Sequence, residues 1–291
     1  MGITPDIDRA DEWPHRAPVT AEGKNVSIPP ETYSSDYLLS ASLEGYQEFL
    51  EGRLSHIKAR QLEMLGLESR MTLLEIGFGR GEFLRHCAQR CAQATGIDYA
   101  PAALGIAERT LAGIPNASVQ TADCRALPFA DESFDRVYSG DVIEHLSYGD
   151  GIRMLRETWR VLKPGGELLI HTSPNSVFMR WVYPASRWLL KALHAESVRR
   201  LDEHLATGKD VHIFEFNWFT LRRVARDAGL QAPEVWIDPD LLRSGSSWHL
   251  REIQGNALVR AVAALGRLAP VRFLLGNDLY LRCRKPATAA H

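Results

Sequence analysis

The stretch from Leu73 to Glu82 limits the fold of this chain more than any other feature, and it reads Leu-Leu-Glu-Ile-Gly-Phe-Gly-Arg-Gly-Glu. Its apolar first half is typical of the end of a buried parallel strand, and a helical pattern follows the glycines. Glycine permits a sharp turn and a close approach of the backbone to a ligand. Glu75 lies two residues before the first glycine, where a carboxylate suits a positively charged ligand group better than a pyrophosphate. The stretch therefore predicts a strand–turn–helix unit that binds a ligand.

The composition excludes several classes of protein. The chain has 291 residues, 45% of them apolar, and a net charge of −2, so a sizeable core is expected and nucleic acid is not an expected partner. The four cysteines form no C-x-x-C pair and are expected to be reduced. No apolar run approaches the roughly 20 residues of a membrane span, and no secretory signal is visible at the N-terminus. We expect a cytoplasmic protein without a membrane partner, and the sequence leaves a homo-oligomer open.

Strands and helices alternate through the middle of the chain. Predicted strands are Met71–Ile76, Ala94–Ile97, Ala117–Thr121, Phe134–Ser139, Glu167–Thr172, Glu234–Ile237 and Asp278–Arg284; predicted helices are Leu43–Leu65, Gly81–Gln93, one from Pro101, Gly149–Leu162, Phe219–Ala228 and Ala257–Leu268. This alternation predicts an α/β fold with a parallel sheet and helices on both faces. Residues 1–40 are expected to form an extended or partly ordered arm, and residues 41–286 one domain.

Residues 176–211 interrupt the alternation and have a helical pattern, so we expect a lid insertion over the carboxyl ends of the strands. Trp181 and Tyr183 are interpreted as the core of this lid, with the wall of a substrate pocket as the alternative. His194 and His204 are interpreted as surface residues of the lid.

Acidic residues follow two of the strands. Asp98 ends the second strand, where a carboxylate accepts hydrogen bonds from both hydroxyls of a ribose, and Tyr99 beside it is a candidate to pack on an adenine. Asp123 ends the third strand and is a candidate for the adenine amino group, while the backbone N–H of Cys124 is placed to meet a ring nitrogen. The two carboxylates predict an adenosine-like ligand without distinguishing among cofactors.

Read in order, the motifs resemble those of the class I S-adenosylmethionine-dependent methyltransferases. They are E-x-G-x-G-x-G, the strand-two Asp, A-D-C, L-P-F, S-F-D and L-K-P-G-G, between Leu73 and Asn175. The resemblance implies a Rossmann-like, mostly parallel sheet of seven strands whose last strand is antiparallel, with an N-terminal helical segment over the cofactor. Within the class the chain is most similar to small-molecule methyltransferases related to the ubiquinone-pathway enzymes.

The resemblance also implies how S-adenosylmethionine is bound. Glu75 and the backbone around Gly77 would hold its ammonium group, and Gly79 would let the loop pass close to the ribose. Arg80 would either meet the methionine carboxylate or face solvent. Tyr33 and Tyr37 would either reach the cofactor from the N-terminal segment or pack within a flexible arm.

The loop that begins at Gly140 follows the fourth strand and, in this class, faces the cofactor and the methyl group to be transferred. It contains the pattern D-x-x-E-H at Asp141, Glu144 and His145. Three interpretations remain open: His145 as a general base, the three residues as ligands of a divalent cation, or a structural role as helix caps.

The metal interpretation rests on similarity to the E-x-x-E-H motif of metal-dependent ubiquinone-pathway O-methyltransferases and of small-RNA 2′-O-methyltransferases. His212 would complete that ligand set, with Mg²⁺ or Mn²⁺ as the ion. Asp141 departs from the motif because it is one methylene shorter than glutamate. His212 precedes an aromatic cluster and is otherwise a satisfied core histidine.

We therefore predict methyl transfer from S-adenosylmethionine to an oxygen or nitrogen of a small molecule, such as a secondary metabolite, a sugar or a phenol-like compound. The candidate catalytic residues are His145, His212 and Glu144. The alternatives are a metal-dependent 2′-O-methyltransferase of small RNA, an accessory protein that binds the cofactor without catalysis, and an NAD-linked oxidoreductase, which the G-x-G-x-G spacing disfavours.

Overall fold

The fold is built on one seven-stranded sheet, seen in a computed structural model that describes residues 28–41, 43–193, 195, 196, 198, 199, 202, 211–238 and 257–287. The strands are β1 (Thr72–Ile76), β2 (Gln93–Asp98), β3 (Ala117–Thr121), β4 (Phe134–Gly140), β5 (Leu162–Thr172), β6 (Glu234–Ile237) and β7 (Leu279–Arg284). Their order is β3-β2-β1-β4-β5-β7-β6, and β7 is antiparallel to both of its neighbours. The predicted Rossmann-like, mostly parallel sheet with an antiparallel last strand is confirmed.

Helices cover both faces of the sheet. They are α1 (Ser35–Leu38), α2 (Tyr46–Leu50), α3 (His56–Met64), α4 (Glu82–Ala88), α5 (Pro101–Thr110), α6 (Tyr148–Val161), α7 (Tyr183–Leu193), α8 (Trp218–Asp227), α9 (Ala257–Leu265) and α10 (Ala269–Leu275). Alternate residues of a strand point to opposite faces, so Val137 of β4 packs in one apolar cluster with α6 and α8. Tyr138 packs in a second cluster, with α3, α4 and α5. The site is thus supported by core on both sides.

One predicted helix is divided in the structure, and another ends earlier than predicted. The segment predicted as one helix from Leu43 to Leu65 forms α2 and α3, because Gly52 between them has φ +69° and Ser55 begins α3 by accepting a hydrogen bond from the N–H of Lys58. The segment from Ala257 to Leu268 ends as α9 at Leu265, and α10 begins with a proline in its first turn.

Two further bounds differ from the predictions. The helix predicted over Gly81–Gln93 is confined to α4, because Gln93 already belongs to β2. The Lys-Pro-Gly-Gly segment lies within β5, which begins at Leu162 and pairs with the start of β4.

The carboxyl ends of β1, β2, β4 and β5 meet at one edge of the sheet, and the N-terminal segment lies over that edge. Tyr33, in this segment, places its hydroxyl oxygen 3.0 Å from Nδ1 of His145. Residues 1–27 of the predicted arm lie outside the described residues. The part of the arm that is described contains a 3₁₀ turn at Pro30–Thr32 and the short helix α1.

The insertion begins with a π-helical turn at Phe178–Val182 and continues into α7. Tyr183 is buried and donates a hydrogen bond to Asp202 over 2.5 Å, as expected for lid core. Trp181 is 67% exposed, so its interpretation as lid core is wrong. His194 and His204 lie outside the described residues. Among the described helices, none is both long and apolar enough to cross a bilayer.

Candidate functional site

Two cavities meet at the carboxyl edge of the sheet. The first is lined by Asp98, Tyr99, Asp123 and Cys124 together with residues of the N-terminal segment. The second is lined by Glu75, Gly140, Glu144 and His212 among others. Both share Gly77, Gly79, Asp141 and His145. Every residue predicted for the site therefore lines one of these two adjoining cavities.

Asp98 is positioned to bind the hydroxyls of a ribose. Its Oδ2 accepts a hydrogen bond from the N–H of Gly79 over 2.9 Å, and its Oδ1 accepts one from the N–H of Ala100 over 2.9 Å. A carboxylate oxygen has two lone pairs, so each oxygen keeps one for a ligand. Burial raises the pKa of Asp98. The carboxylate is thus held by the backbone in a fixed orientation toward the first cavity.

The glycine-rich turn leaves room for a ligand. Gly77 has φ +81°, and a Cβ added there would lie 2.2 Å from Cγ2 of Val142. Gly79 has φ +52°, and a Cβ added there would meet nothing within 4 Å. The turn therefore packs tightly on one side and is open on the side of the cavities.

Glu75 fits a cationic ligand group. Its side chain is 3% exposed, and its Oε2 has no hydrogen-bond partner among the described residues. Burial raises the pKa of Glu75 to about 8. An ammonium group in the second cavity would supply the missing partner and stabilise the charged carboxylate.

A buried ion-pair network adjoins Glu75. Oε1 of Glu82 lies 2.6 Å from Nζ of Lys58 and 2.8 Å from Nη2 of Arg80. Burial would raise the pKa of Glu82, but Lys58 and Arg80 outweigh it and lower that pKa to about 2. Arg80 is buried rather than facing solvent, and its Nη1 has no hydrogen-bond partner in the described part of the chain. This guanidinium is a candidate for a ligand carboxylate.

Asp123, at the adenine end, is already engaged by a neighbour. Arg125 donates hydrogen bonds to both carboxylate oxygens of Asp123 over 2.7–3.0 Å. Arg125 also lies 3.4 Å from a carboxylate oxygen of Asp150. Asp123 is therefore held in the first cavity by Arg125, and an adenine amino group would share its carboxylate.

Three of the four predicted metal ligands lie together. Glu144, His145 and His212 each offer one ligand atom, and these atoms all lie within 4.8 Å of one another. Oε2 of Glu144 accepts a hydrogen bond from Oγ1 of Thr172 over 2.9 Å. Nδ1 of His145 lies 3.0 Å from the carbonyl oxygen of Val211. Donation to that carbonyl would leave Nε2 of His145 as the ligand atom.

The charges in this group are suppressed. Burial lowers the pKa of His145 to about 3, and His212 adds to the effect, so His145 is neutral at pH 7. Burial raises the pKa of Glu144 well above its usual range, with a further contribution from Asp141. A neutral imidazole is a metal ligand but, with so low a pKa, a weak base.

Asp141 lies apart from the other three predicted ligands. Its Oδ1 is 3.1 Å from Nδ1 of His171, whose Nε2 is 3.1 Å from Oδ1 of Asp278. Burial would lower the pKa of His171, but Asp141 and Asp278 outweigh it and raise that pKa well above its usual range. The loop backbone also holds Asp141 with φ +53°. His171 is thus a buried imidazolium between two carboxylates, and its charge lowers the pKa of Asp141, whose side chain is half exposed.

Several lining residues were not among the predicted site residues. His171 is the penultimate residue of β5, close to the strand end as Asp98 is in β2, so its polar character there was a usable signal. Lys58, Arg125 and Asp278 gave no such signal, because they reach the site from a helix, from a loop and from the start of an antiparallel strand.

Residues 74–170 match the family described as a methyltransferase domain. Sterol 4-C-methyltransferase of Caenorhabditis elegans is 30% identical over 125 residues, which cover 42% of this chain and 37% of that protein. The ubiquinone/menaquinone biosynthesis C-methyltransferase of Geotalea daltonii is 30% identical over 119 residues, which cover 38% of this chain and 50% of that protein. The chain thus spans half or less of the length of these curated relatives.

Solved structures share the fold. A putative methyltransferase of Haloferax volcanii, in complex with the Trm112 methyltransferase activator, has a TM-score of 0.55 at 21% identity, covering 85% of this chain and 96% of that chain. Phosphoethanolamine N-methyltransferase 2 of Haemonchus contortus, in complex with S-adenosyl-L-methionine, has a TM-score of 0.53 at 18% identity. The match covers 88% of this chain and 56% of that chain. At these identities the likeness concerns the fold.

The matched domain and the strand order agree with the fold that the motifs predict. Residues 74–170 match a methyltransferase domain, and the seven-stranded sheet around them has the predicted antiparallel last strand. The cavity residues fit S-adenosylmethionine, the cofactor that the motifs predict: an acid for the ammonium, an arginine for the carboxylate and an acid for the ribose.

Proposed function

We propose that the protein transfers a methyl group from S-adenosylmethionine to an oxygen or nitrogen of a small molecule. The observation that carries the proposal is the meeting of the two cavities along Gly77, Gly79, Asp141 and His145. S-adenosylmethionine supplies a methyl group that its sulfonium charge already activates. The residues of the site therefore need chiefly to align the acceptor and to exclude water.

The donor side is organised by charge. Asp98 would hold the ribose, Glu75 the ammonium and Arg80 the carboxylate of the methionine moiety. Asp141 is a carboxylate whose pKa is kept low, and it lines both cavities. Its negative charge lies where a cationic sulfur would favour it.

The acceptor side is organised by hydrogen bonds. Neutral His145 would accept a hydrogen bond from the hydroxyl or amine of the acceptor and orient it toward the donor. Tyr33 contacts the same imidazole, with its hydroxyl oxygen 3.0 Å from Nδ1, and lines the first cavity. Because the pKa of His145 is about 3, we assign it orientation in preference to full proton abstraction.

Two measurements test the proposal. Isothermal titration with S-adenosylhomocysteine should show binding, and acceptor-dependent formation of S-adenosylhomocysteine should appear with one class in a panel of phenols, quinols, sterols, sugars and amines. Absence of binding would refute the whole proposal. Binding without turnover on any acceptor would instead favour the cofactor-binding accessory protein.

A second proposal concerns a metal. The grouping of Glu144, His145 and His212 fits a divalent cation, since carboxylate and imidazole ligands suit Mg²⁺, Mn²⁺ and similar ions. A bound cation would supply a Lewis acid that favours the deprotonated form of an acceptor hydroxyl. The hydrogen bonds from Thr172 and to Val211 would orient two of the ligands.

The metal proposal predicts that EDTA abolishes turnover and that Mn²⁺ restores it. Electron paramagnetic resonance should detect Mn²⁺ bound to the wild type and to His56→Gln, which alters an exposed histidine, but not to His212→Gln. Unchanged turnover after thorough chelation, with no bound Mn²⁺, would exclude the metal.

A further inference from the structure

Exposed apolar side chains concentrate on one part of the molecule. In the described part of the chain, eleven large hydrophobic residues are exposed, and two of them, Leu50 and Tyr99, lie elsewhere. The other nine are Trp181, Trp188, Leu189, Phe219, Val262, Leu265, Leu268, Phe273 and Leu274. They belong to the insertion, to the first turn of α8, and to the region of α9 and α10. We call this set the insertion face.

The insertion face is continuous. Helix α10 contacts both the π-helical turn of the insertion and α9. The rings of Phe219 and Phe273 stack with centroids 6.5 Å apart, which joins α8 to α10. On α9, every side chain that the structure describes is exposed, although the helix carries a single charged residue, Arg260. A helix this apolar is normally covered by something.

The two segments that carry eight of these nine residues are positively charged. Residues 177–193 and 257–275 contain six basic residues and no acidic one. The six are Arg180, Arg187, Lys191, Arg260, Arg267 and Arg272. Asp202, which lies outside the two segments, pairs with Arg187.

We propose that the insertion face binds the surface of an anionic phospholipid bilayer. Tryptophan side chains favour the level of the lipid headgroups, and arginine and lysine favour anionic phosphates. A second copy of the chain is a poorer occupant, because its basic residues would oppose those of the first. The proposal departs from the expectation, made from the sequence, that no membrane is a partner; binding at the surface needs no spanning helix.

The position of the face bears on the proposed function, and this step rests on that function. Met179 and Arg180 of the insertion line the second cavity, as do Asn277 and Asp278, which follow α10. The acceptor side of the site is therefore bounded by the same elements that would contact the lipid. An acceptor dissolved in the bilayer would enter the cavity without crossing bulk water.

Co-sedimentation of the full chain with vesicles tests the proposal. We expect binding to phosphatidylcholine vesicles containing phosphatidylglycerol, much weaker binding to phosphatidylcholine alone, and weakening of the anionic binding at high salt. The double variant Trp181→Ser/Trp188→Ser should bind about tenfold more weakly, because two exposed aromatic side chains are lost. Leu50→Ser, which removes an exposed hydrophobic residue outside the face, should bind as the wild type does.

Equal binding of the wild type and the double tryptophan variant, or no preference for anionic vesicles, would overturn the proposal. A wild type that fails to bind vesicles but dimerises in sedimentation velocity, with a monomeric tryptophan variant, would assign the face to a second copy. Titration with S-adenosylhomocysteine separates the two proposals: its failure would remove the methyltransferase function and leave the vesicle result standing. The same titration shows whether the double variant is folded.

Discussion

Asp98→Asn tests how the domain recognises its cofactor. The substitution keeps the shape of the side chain, but one carboxylate oxygen becomes an NH₂ group. Both oxygens of Asp98 already accept backbone hydrogen bonds, from Gly79 and Ala100. The NH₂ group must therefore face one backbone N–H, and it cannot accept a hydrogen bond from the ribose hydroxyl on that side.

The substitution should affect two quantities, the stability of the protein and its affinity for the ligand. The lost backbone hydrogen bond exists with and without ligand, so it lowers the free energy of unfolding, by about 1–3 kcal/mol, rather than the affinity. The lost hydrogen bond between a ribose hydroxyl and a charged acceptor affects binding, by about 1.5–3 kcal/mol. At 1.4 kcal/mol per tenfold, the affinity for S-adenosylhomocysteine should fall roughly 10- to 150-fold.

Isothermal titration measures the affinity, and chemical denaturation measures the stability of the same variants. Asp135→Asn is the matched control, because Asp135 also accepts a backbone N–H, from Thr72, but lies at the opposite end of the sheet. That variant should lose stability and keep the affinity of the wild type. If Asp98→Asn bound S-adenosylhomocysteine within threefold of the wild type, the assignment of Asp98 to the ribose would be wrong.

Two further predictions concern the glycine-rich turn. Because the pKa of Glu75 is about 8 in the free protein, binding of an ammonium at pH 7 should release about 0.9 proton. The affinity for the ligand should therefore rise with pH up to about 8 and then level off. Calorimetric titration in buffers of different ionisation enthalpy should show the proton release, and Glu75→Gln should abolish the release. Gly77→Ala should lower the free energy of unfolding by about 2–4 kcal/mol, because alanine is strained at a positive φ and its Cβ would clash with Val142. Gly113→Ala is the control, since Gly113 has φ +82° but no neighbour within 4 Å, and it should show the backbone cost alone. Equal melting temperatures for the two variants would contradict the clash.

The sheet and the residues that would bind the methyl donor could be predicted from the sequence, because local sequence patterns specify them. A buried strand shows as an apolar run, and a polar residue directly after it must lie at the carboxyl edge of the sheet, since parallel strands end there together. Asp98 and Asp123 follow from this rule, whereas Glu75 lies within β1 and was identified by its place before the glycines. The division between α2 and α3 could not be predicted in this way, because the apolar spacing continues across Gly52. It is the positive φ of Gly52 that ends the helix.

The acceptor side depends on contacts between distant parts of the chain. His171 and Asp278 are 107 residues apart and meet because β7 lies antiparallel beside β5. That pairing places an imidazolium 3.1 Å from Asp141. The D-x-x-E-H pattern by itself suggests one set of three ligands, whereas the fold divides it: Asp141 lies beside His171, and Glu144 and His145 lie beside His212. The same sequence pattern can therefore serve two different chemistries, and the choice between them is made by residues that the pattern does not contain.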